Sequence, residues 1–418
     1  MKHITGSKRA AVAAVAALLL VAAACGDDDD SGGGASGGAD AAEILGPEAQ
    51  ATGDPVKVGL ISDGSTAVTD NGIEVDVAEA TADWLNEHHS GVGGRPIELV
   101  TCEAETDPGK TTDCANRMVE ENVVGVVAGA LAVADAIWEP LHDAHVPVMY
   151  YAANSAQIIT DPDSTFVLSN PMAGVVGVPL SVAQDEGESK VTVVVIDVPA
   201  ALSVYDTVAP AAFEEAGIDL EVVPVPPGTA DMTPQMQEVV DSDPGVVEVV
   251  GNDTFCISAF QGLQAVGFDG PVSTITQCVD DATRQAVPAD FLSGMVVSAS
   301  APVSAEDNES TQLYEAVVDT YGGDIDTSRP TGMNMFSTLA GFQAALADIS
   351  GDVTPETVTA AIKAMPETEL PGAGGLSFRC GGDAVAGMPS VCTRGQLVTT
   401  LDEEGRPGAY EIVGEESS

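Results

Sequence analysis

The sequence predicts an α/β fold with two doubly wound parallel-sheet lobes joined by three chain crossings. From residue 56 onward, short runs of β-branched residues alternate with longer stretches of helical period, which is the pattern of βαβ units. The same pattern begins again after Asn170-Pro171, which indicates a second sheet of similar plan. Roughly 360 residues follow position 54, and this length exceeds what a single hydrophobic core usually organises.

Five strands separated by helices are predicted in each of the two stretches that begin the lobes. Strands of the first lobe are predicted at 56–61, 96–102, 123–128, 146–151 and 166–169. Strands of the second lobe are predicted at 191–196, 220–225, 246–250, 272–276 and 295–298. The longest helix is predicted over 72–89, because its apolar residues recur on one face and a glycine cluster follows it.

The C-terminal part of the sequence predicts how the chain returns between the lobes. Residues 306–365 are predicted to be helical without new strands, and such helices need an existing sheet to cover. We therefore assign them to the first lobe, and we assign predicted strands at 396–401 and 409–413 to the second. The predicted boundaries are 55–170 with 300–375 for lobe 1, and 171–299 with 376–414 for lobe 2. Hinge crossings are expected near Asn170, Ser300 and Gly375.

The N-terminus has the layout of a bacterial lipoprotein leader. Three basic residues precede an uncharged apolar run over 10–24, which fits a signal peptide over 1–24 and is shorter than the roughly 20 residues of a membrane-spanning helix. Residues 20–25 (LVAAAC) resemble a lipobox, so we expect lipid on Cys25 and a location on the outer face of the cell membrane. Ala22 stands where leucine is more usual, which leaves cleavage without lipidation as the alternative.

The segment after Cys25 is rich in Asp, Gly, Ser and Ala and offers little apolar surface to bury. Such a composition predicts a disordered linker over 25–54. The folded body is therefore expected to begin near Pro55.

The formal net charge of -51 comes from 65 acidic and 14 basic residues. A field of this sign repels phosphate backbones and anionic lipids, which argues against nucleic-acid binding and against membrane contact beyond the anchor. The acids are scattered along the chain, so a solvated acidic surface is favoured over ligand binding by acids. We expect a monomer without a cofactor.

The chain has seven cysteines, and setting Cys25 aside leaves an even number in an oxidising compartment. Among the many possible pairings, we predict the local one: Cys102 with Cys114, Cys256 with Cys278, and Cys380 with Cys392. A metal site is the alternative, and it is disfavoured because no C-x-x-C spacing occurs.

Six short segments follow one another in a recognisable order. They are VKVGL at 56–60, GGRPIEL at 93–99, DPGK at 107–110, VGVVAG at 124–129, HVPV at 145–148 and AANS at 152–155. With this order and spacing, the chain from Lys57 to Val413 resembles the type I periplasmic binding proteins of the branched-chain amino acid transport group. The resemblance implies a two-lobed receptor, not an enzyme, whose cleft closes on a small solute and delivers it to an ABC permease.

The resemblance also implies residues that bind the solute. Ala153 matches the residue whose carbonyl faces the ammonium group of the ligand, and Ser155 matches a threonine that holds the carboxylate. Asn154 lies between them as an amide able to donate or accept. Gln277 matches the glutamate that binds the ammonium group, and a neutral amide lacks the charge-assisted part of that contact.

Two further positions depart from the family pattern. A hydroxyl-rich loop after the third strand is replaced by 130–134, in which Leu131 provides an apolar wall. Asp253 occupies a position that is usually aromatic, where it would favour a cationic group. These departures widen the expected solute from a branched-chain amino acid to an amide or a related organic acid.

Two other functions stay open at this point. A lipoprotein of the same fold could hand its ligand-bound state to a signalling receptor instead of a permease. A surface-anchored metal-dependent hydrolase is the enzymatic alternative, because Glu139, His142 and His145 have a spacing that suits a metal, and His88-His89 adds imidazoles. The hydrolase is disfavoured, since adjacent histidines point to different faces and the sequence has no P-loop. The patterns G-x-S-x-G and G-x-G-x-x-G occur only in the Gly/Ser-rich stretch 32–38, outside any predicted strand and helix.

Overall fold

The computed structural model describes residues 37–66, 70–153, 155–207, 209–305 and 307–414. The predicted signal peptide over 1–24, the lipidation site Cys25 and the predicted site residue Asn154 lie outside the described residues. Every helix among the described residues is too short or too polar to span a bilayer.

Two large sheets form the centres of two lobes. The first-lobe sheet contains β1 (Val56–Ser62), β2 (Ile97–Glu103), β3 (Val126–Ala128), β4 (Val148–Tyr150) and β5 (Thr165–Val167). The second-lobe sheet begins with β6 (Lys190–Ile196), β7 (Asp219–Val225), β8 (Val246–Val250), β9 (Val272–Ile275) and β10 (Val296–Ala299). A small antiparallel pair follows, β11 (Thr368–Glu369) and β12 (Ser377–Phe378), before β13 (Gln396–Leu401) and β14 (Pro407–Val413) complete the second sheet.

The strand orders confirm the predicted α/β fold of two lobes. The first sheet has the order β2-β1-β3-β4-β5 with every pair parallel. The second has the order β14-β13-β10-β9-β8-β6-β7, in which only β13 and β14 are antiparallel additions at one edge. Valine-rich strands such as β8, buried along its whole length, are typical of parallel sheets covered on both faces.

Helices cover both faces of the two sheets. Helix α1 (Gly37–Ile44) precedes β1, and the helices that follow the first four strands are α2 (Ile73–His88), α3 (Pro108–Glu120), α4 (Asp135–Asp143) and α5 (Ala156–Ile159). The second lobe contains α6 (Val178–Glu186), α7 (Pro199–Thr207), α8 (Ala209–Ala216), α9 (Thr233–Asp241), α10 (Asp253–Val266), α11 (Asp281–Ala286) and α12 (Ala289–Leu292). The chain then returns to the first lobe as α13 (Glu309–Val317), α14 (Pro330–Ala345) and α15 (Pro355–Ala364). Helix α14 packs beside α2, so that buried Phe336 and Trp84 share one core.

The expectation of a disordered linker over 25–54 is wrong for its C-terminal part. Leu45 is 6% exposed and packs into the first-lobe core, where the indole Nε1 of Trp84 donates to its carbonyl oxygen at 3.1 Å. Ala51 is also buried, and its backbone N–H donates at 2.7 Å to a carbonyl near the end of α2. The folded body therefore begins before Pro55, because the few apolar residues of this polar stretch have partners on α2.

The third crossing between the lobes lies later in the chain than its expected position near Gly375. Val391 pairs in parallel with Val167 of β5, so the loop 380–392 stays with the first lobe. This loop covers the edge strand of the first sheet, which otherwise exposes unpaired backbone groups. The chain crosses to the second lobe only near Gly395, directly before β13.

Three disulfides form among the described residues, and they confirm the predicted local pairing of six cysteines. They join Cys102 to Cys114, Cys256 to Cys278 and Cys380 to Cys392. The first ties β2 to α3 and the second ties α10 to the turn after β9, while the third closes the loop beside β5. Each disulfide therefore supports a connection between local elements of one lobe.

Candidate functional site

Two connected cavities lie where the lobes face each other, at the carboxyl ends of the parallel strands. The smaller one, which we call the hinge chamber, has a volume of about 250 Å³ and is lined by residues from all three crossings. The larger one, the outer chamber, has a volume of about 1320 Å³ and extends along β10, β13 and β14 to the start of α14. Both are lined by Thr276, Gln277, Ala299 and Ser300, so they form one continuous cleft.

Side-chain hydrogen bonds to the backbone hold the wall of the hinge chamber. Three successive carbonyls, those of residues 298–300, each accept one such bond. The hydroxyl of Thr276 donates at 2.9 Å and the amide of Gln396 at 2.5 Å, while the hydroxyl of Tyr151 donates to the third carbonyl. Burial raises the pKa of Tyr151, so its hydroxyl stays neutral and remains a donor. The hydrogen-bond donors of these three side chains are therefore used within the protein.

The second-lobe wall presents Gln277 to both chambers. Gln277 is the middle residue of the 3₁₀ turn Thr276–Cys278 after β9, and its exposed side chain makes no hydrogen bond to another described residue. The disulfide from Cys278 to Cys256 holds this turn against α10. Asp253, the first residue of α10, is exposed and lines the outer chamber. The structure thus brings two of the predicted site residues to the cleft.

The other described site residues lie outside both chambers. Ser155 caps α5, because its hydroxyl oxygen accepts from the backbone N–H of Ile158 at 3.3 Å, and its hydroxyl also donates to the carboxylate of Asp135. Leu131 and Ala153 are half-buried and pack against the first-lobe core. A contact between these residues and a solute stays a prediction.

Two buried carboxyl groups hold the loop after β3 at the carboxyl edge of the first sheet. Glu74 of α2 accepts a hydrogen bond from the backbone N–H of Ala130 at 2.8 Å and another from the hydroxyl of Ser62. Asp63 accepts from the backbone N–H of Ala132 at 2.6 Å. Burial raises the pKa of Glu74 to about 7, although its two hydrogen bonds act in the opposite direction. The N–H donors of Ala130 and Ala132 are therefore used within the protein.

The outer chamber contains buried polar atoms that have no hydrogen-bond partner among the described residues. They are Oδ1 of Asn334 on α14 and Oγ1 of Thr399 on β13. Thr399 is 2% exposed and pairs with the apolar Val297 across the sheet. Because an unpaired buried polar atom is costly in free energy, both atoms are candidate contacts for a solute.

Two of the histidines considered for a metal site, His88 and His142, have structural contacts. Across the described stretches, no three His, Cys, Asp or Glu side chains are placed to hold a metal ion. His142 stacks on Trp138 with ring centroids 4.5 Å apart, and its Nδ1 lies 3.3 Å from a carboxylate oxygen of buried Asp161. The two ring nitrogens of His88 contact a backbone carbonyl and the hydroxyl of Tyr321.

Sequence reasoning missed several residues of the cleft. Ser169, Ser298 and Ser300 line the chambers at the ends of β5 and β10. Ser169 and Ser298 end predicted strands and Ser300 closely follows one, which was an available signal. Asn334 lies inside α14, and nothing local in the sequence indicates that this helix points towards the cleft.

Comparisons with known proteins agree with this architecture. Residues 55–393 match the family model described as periplasmic binding protein. The chain is 28% identical over 205 residues to Leu/Ile/Val-binding protein homolog 6 of Brucella abortus (strain 2308), a match that covers 46% of this chain and 50% of that protein. This chain therefore spans about half the length of that curated relative.

Solved structures share the fold at low sequence identity. A branched-chain amino acid transporter substrate-binding protein of Streptococcus pneumoniae, in complex with isoleucine, is 16% identical with a TM-score of 0.65, over 86% of this chain and 99% of that chain. An ABC transporter solute-binding protein of R. palustris, in complex with 4-hydroxybenzoate, is 20% identical with a TM-score of 0.65, over 86% of this chain and 97% of that chain. Because the family model covers most of its length, this chain belongs to the periplasmic binding protein family, whose members bind solutes outside the cytoplasm, and it has their type I two-lobed fold.

Proposed function

We propose that this protein captures a small organic solute between its lobes and delivers it to the permease of an ABC transporter. The observation that carries the proposal is the continuous cleft at the carboxyl ends of both sheets, which is where ligands bind to open α/β sheets. Residues of both lobes line it, so a solute held there contacts both lobes and favours their closed arrangement.

The solute classes that we propose are a branched-chain amino acid, an amide or a related organic acid. The two related structures named above are complexes with an amino acid and with an aromatic organic acid, so the shared fold accommodates different solutes. In this chain the cleft presents the neutral amide of Gln277 and the carboxylate of Asp253.

We propose further that lipid on Cys25 holds the protein, as a monomer, on the outer face of the membrane. A tether keeps a receptor at high local concentration beside its permease. Because the chain from Leu45 onward is packed on the first lobe, such a tether would attach to that lobe. Fractionation tests the anchor: the protein is expected with the membrane and the Cys25→Ser variant in the soluble fraction. Equal membrane retention of both would contradict lipidation at this residue.

Solute capture is tested by a thermal-shift screen of amino acids, amides and organic acids on the purified protein. A solute that binds only the folded state raises the melting temperature. Gln277→Ala is expected to weaken binding of any such solute, whereas Gln264→Ala, on the exposed side of α10 and outside both chambers, is expected to leave it unchanged. The proposal is wrong if no solute shifts the melting temperature, and the site is wrong if both variants bind equally.

A further inference from the structure

We infer that the hinge chamber selects an uncharged hydrogen-bonding group, such as a carboxamide or an alcohol, over the carboxylate or ammonium group of a free amino acid. The inference rests on the proposed function, because it specifies the solute of the same cleft. Three observations support it. The lining of the chamber is uncharged, the polar groups that remain free in the chamber can both donate and accept hydrogen bonds, and two N–H donors of the loop after β3 are already occupied.

The lining of the hinge chamber carries no charge. Within the part of the chain that the structure describes, all its side chains are apolar or neutral and polar. Among the described residues, the charged side chains of the cleft line only the outer chamber: the acids Asp253, Asp280, Asp281, Asp402 and Glu404, and the basic residues Arg284 and Arg406. An ionised group that leaves water without an opposite charge is strongly disfavoured, so neither end of an amino acid finds a partner in the hinge chamber.

The polar groups that remain free in this chamber both donate and accept. The donors of Tyr151, Thr276 and Gln396 are used by the backbone carbonyls of residues 298–300. The side chains of Ser169, Gln277 and Ser298 make no hydrogen bond to another described residue. Two hydroxyls and one amide suit a group that also both donates and accepts, which a carboxamide or an alcohol does and a carboxylate does not.

A further observation concerns the loop after β3, which lines neither chamber but lies at the carboxyl edge of the first sheet. Backbone N–H groups in such a loop are natural donors to an anion, but here those of Ala130 and Ala132 are occupied by the carboxyl groups of Glu74 and Asp63. A solute carboxylate at this edge would therefore lack these two donors and would lie beside two buried acids. This arrangement opposes an anionic group on the first-lobe side as well.

The test uses solutes of matched shape that differ in charge. Isovaleramide, isovalerate and leucine form one set, and benzamide, benzoate and phenylalanine form another; each is titrated calorimetrically into the purified protein. We expect the uncharged member of the better-binding set to bind about tenfold or more tightly than its charged counterparts. Tighter binding of a charged member would overturn the inference while leaving the receptor function intact. Failure of every solute, in these sets and in the wider screen, would contradict the proposed function itself.

A charge-swap variant tests the selectivity in the same protein. Gln277→Glu introduces an acid at the chamber and is expected to shift the ratio of leucine to isovaleramide affinity by about tenfold towards leucine. Gln264→Glu adds the same charge to the same lobe outside both chambers and is expected to leave the ratio unchanged. Ser169→Ala is expected to weaken isovaleramide binding selectively. Equal affinity ratios in both glutamate variants, or an unchanged isovaleramide affinity in Ser169→Ala, would overturn the assignment.

Discussion

Asn170 and Arg394 link two of the three chain crossings, because the side-chain amide of Asn170 donates to the carbonyl of Arg394 at 3.2 Å. The carbonyl oxygen of the same amide accepts from the backbone N–H of Met172 at 3.0 Å. Gln396 then connects the Arg394 segment to the remaining crossing through its bond to the carbonyl of Ala299. The crossings are thus coupled by side-chain amides, so hinge bending is expected to involve all three together.

Asn170→Ala is expected to lower the free energy of unfolding by about 1–2 kcal/mol, because it removes one donor and one acceptor from partly buried bonds. The matched control is Asn116→Ala on the exposed face of α3, where no loss is expected. Urea unfolding followed by circular dichroism measures both. Equal stability of the two variants would show that the Asn170 bonds add nothing to the hinge.

The segment before β1 gives a second prediction. Leu45→Ala is expected to destabilise the protein by about 2–4 kcal/mol, since Leu45 is 6% exposed within the first-lobe core. Its neighbour Ile44 is 38% exposed, so Ile44→Ala is the matched control. Its expected loss of stability is well below that of Leu45→Ala. A chain that begins at Pro55 is expected to melt at a lower temperature than one that begins at residue 37. Similar unfolding free energies for the two alanine variants would contradict the packing of this segment.

The disulfide between Cys256 and Cys278 is expected to support the cleft as well as the fold. Replacing both residues by alanine should lower the unfolding free energy by about 3 kcal/mol and also weaken solute binding, because the turn that carries Gln277 loses its covalent link to α10. The double alanine variant of Cys102 and Cys114 is the control, with a comparable loss of stability and unchanged affinity. Equal affinity for the solute in both variants would show that this disulfide does not support the binding site.

The raised pKa of Glu248 predicts that the free energy of unfolding depends on pH. It is fully buried in β8, where burial raises its pKa to about 8 from the ordinary value of 4.5, opposed only in part by the hydrogen bond from the Ser273 hydroxyl. Between these two values the folded state keeps a proton that the unfolded chain releases. The free energy of unfolding should therefore fall as the pH rises from about 4.5 to about 8, by at most about 1.4 kcal/mol per pH unit for this group.

Glu248→Gln is expected to flatten this dependence and to raise stability at pH 8 relative to the parent. Glu74, whose pKa burial raises to about 7, retains a slope of the same sign. Glu238→Gln, on the exposed face of α9, is the control and should preserve the full dependence. Denaturant unfolding at pH 5 and pH 8 measures the three proteins. Parallel pH profiles for parent and Glu248→Gln would show that Glu248 is not the titrating group.

Local sequence patterns predicted the lobes because valine-rich strands and amphipathic helices carry their own periodicity. The same patterns missed the packing of Leu45 and the crossing near Gly395, because both depend on distant partners, namely Trp84 of α2 and the edge strand β5. Composition alone describes the polar stretch around Leu45 as a linker. The buried side chains of Leu45 and Ala51 and the hydrogen bonds of their backbone groups hold this stretch on the first lobe.

The same distinction applies to the cleft. Some of its residues can be predicted from the local sequence, and others depend on distant parts of the chain. Gln277 and Asp253 reach it because each follows a parallel strand closely, and the carboxyl ends of such strands line the cleft. Ser155 also follows a strand, but its hydroxyl oxygen caps the N-terminus of the short helix α5 and accepts a hydrogen bond there. Asn334 enters the cleft only because α14 returns from the other end of the chain.

The most direct test of solute capture between the lobes is small-angle X-ray scattering of the purified protein, with and without a solute that raises its melting temperature. We expect the radius of gyration to fall when that solute binds, because closure moves the lobes together about their three crossings. A compound without effect on the melting temperature should leave the radius of gyration unchanged. One-to-one binding with no change in the radius of gyration would contradict closure of the lobes around the solute.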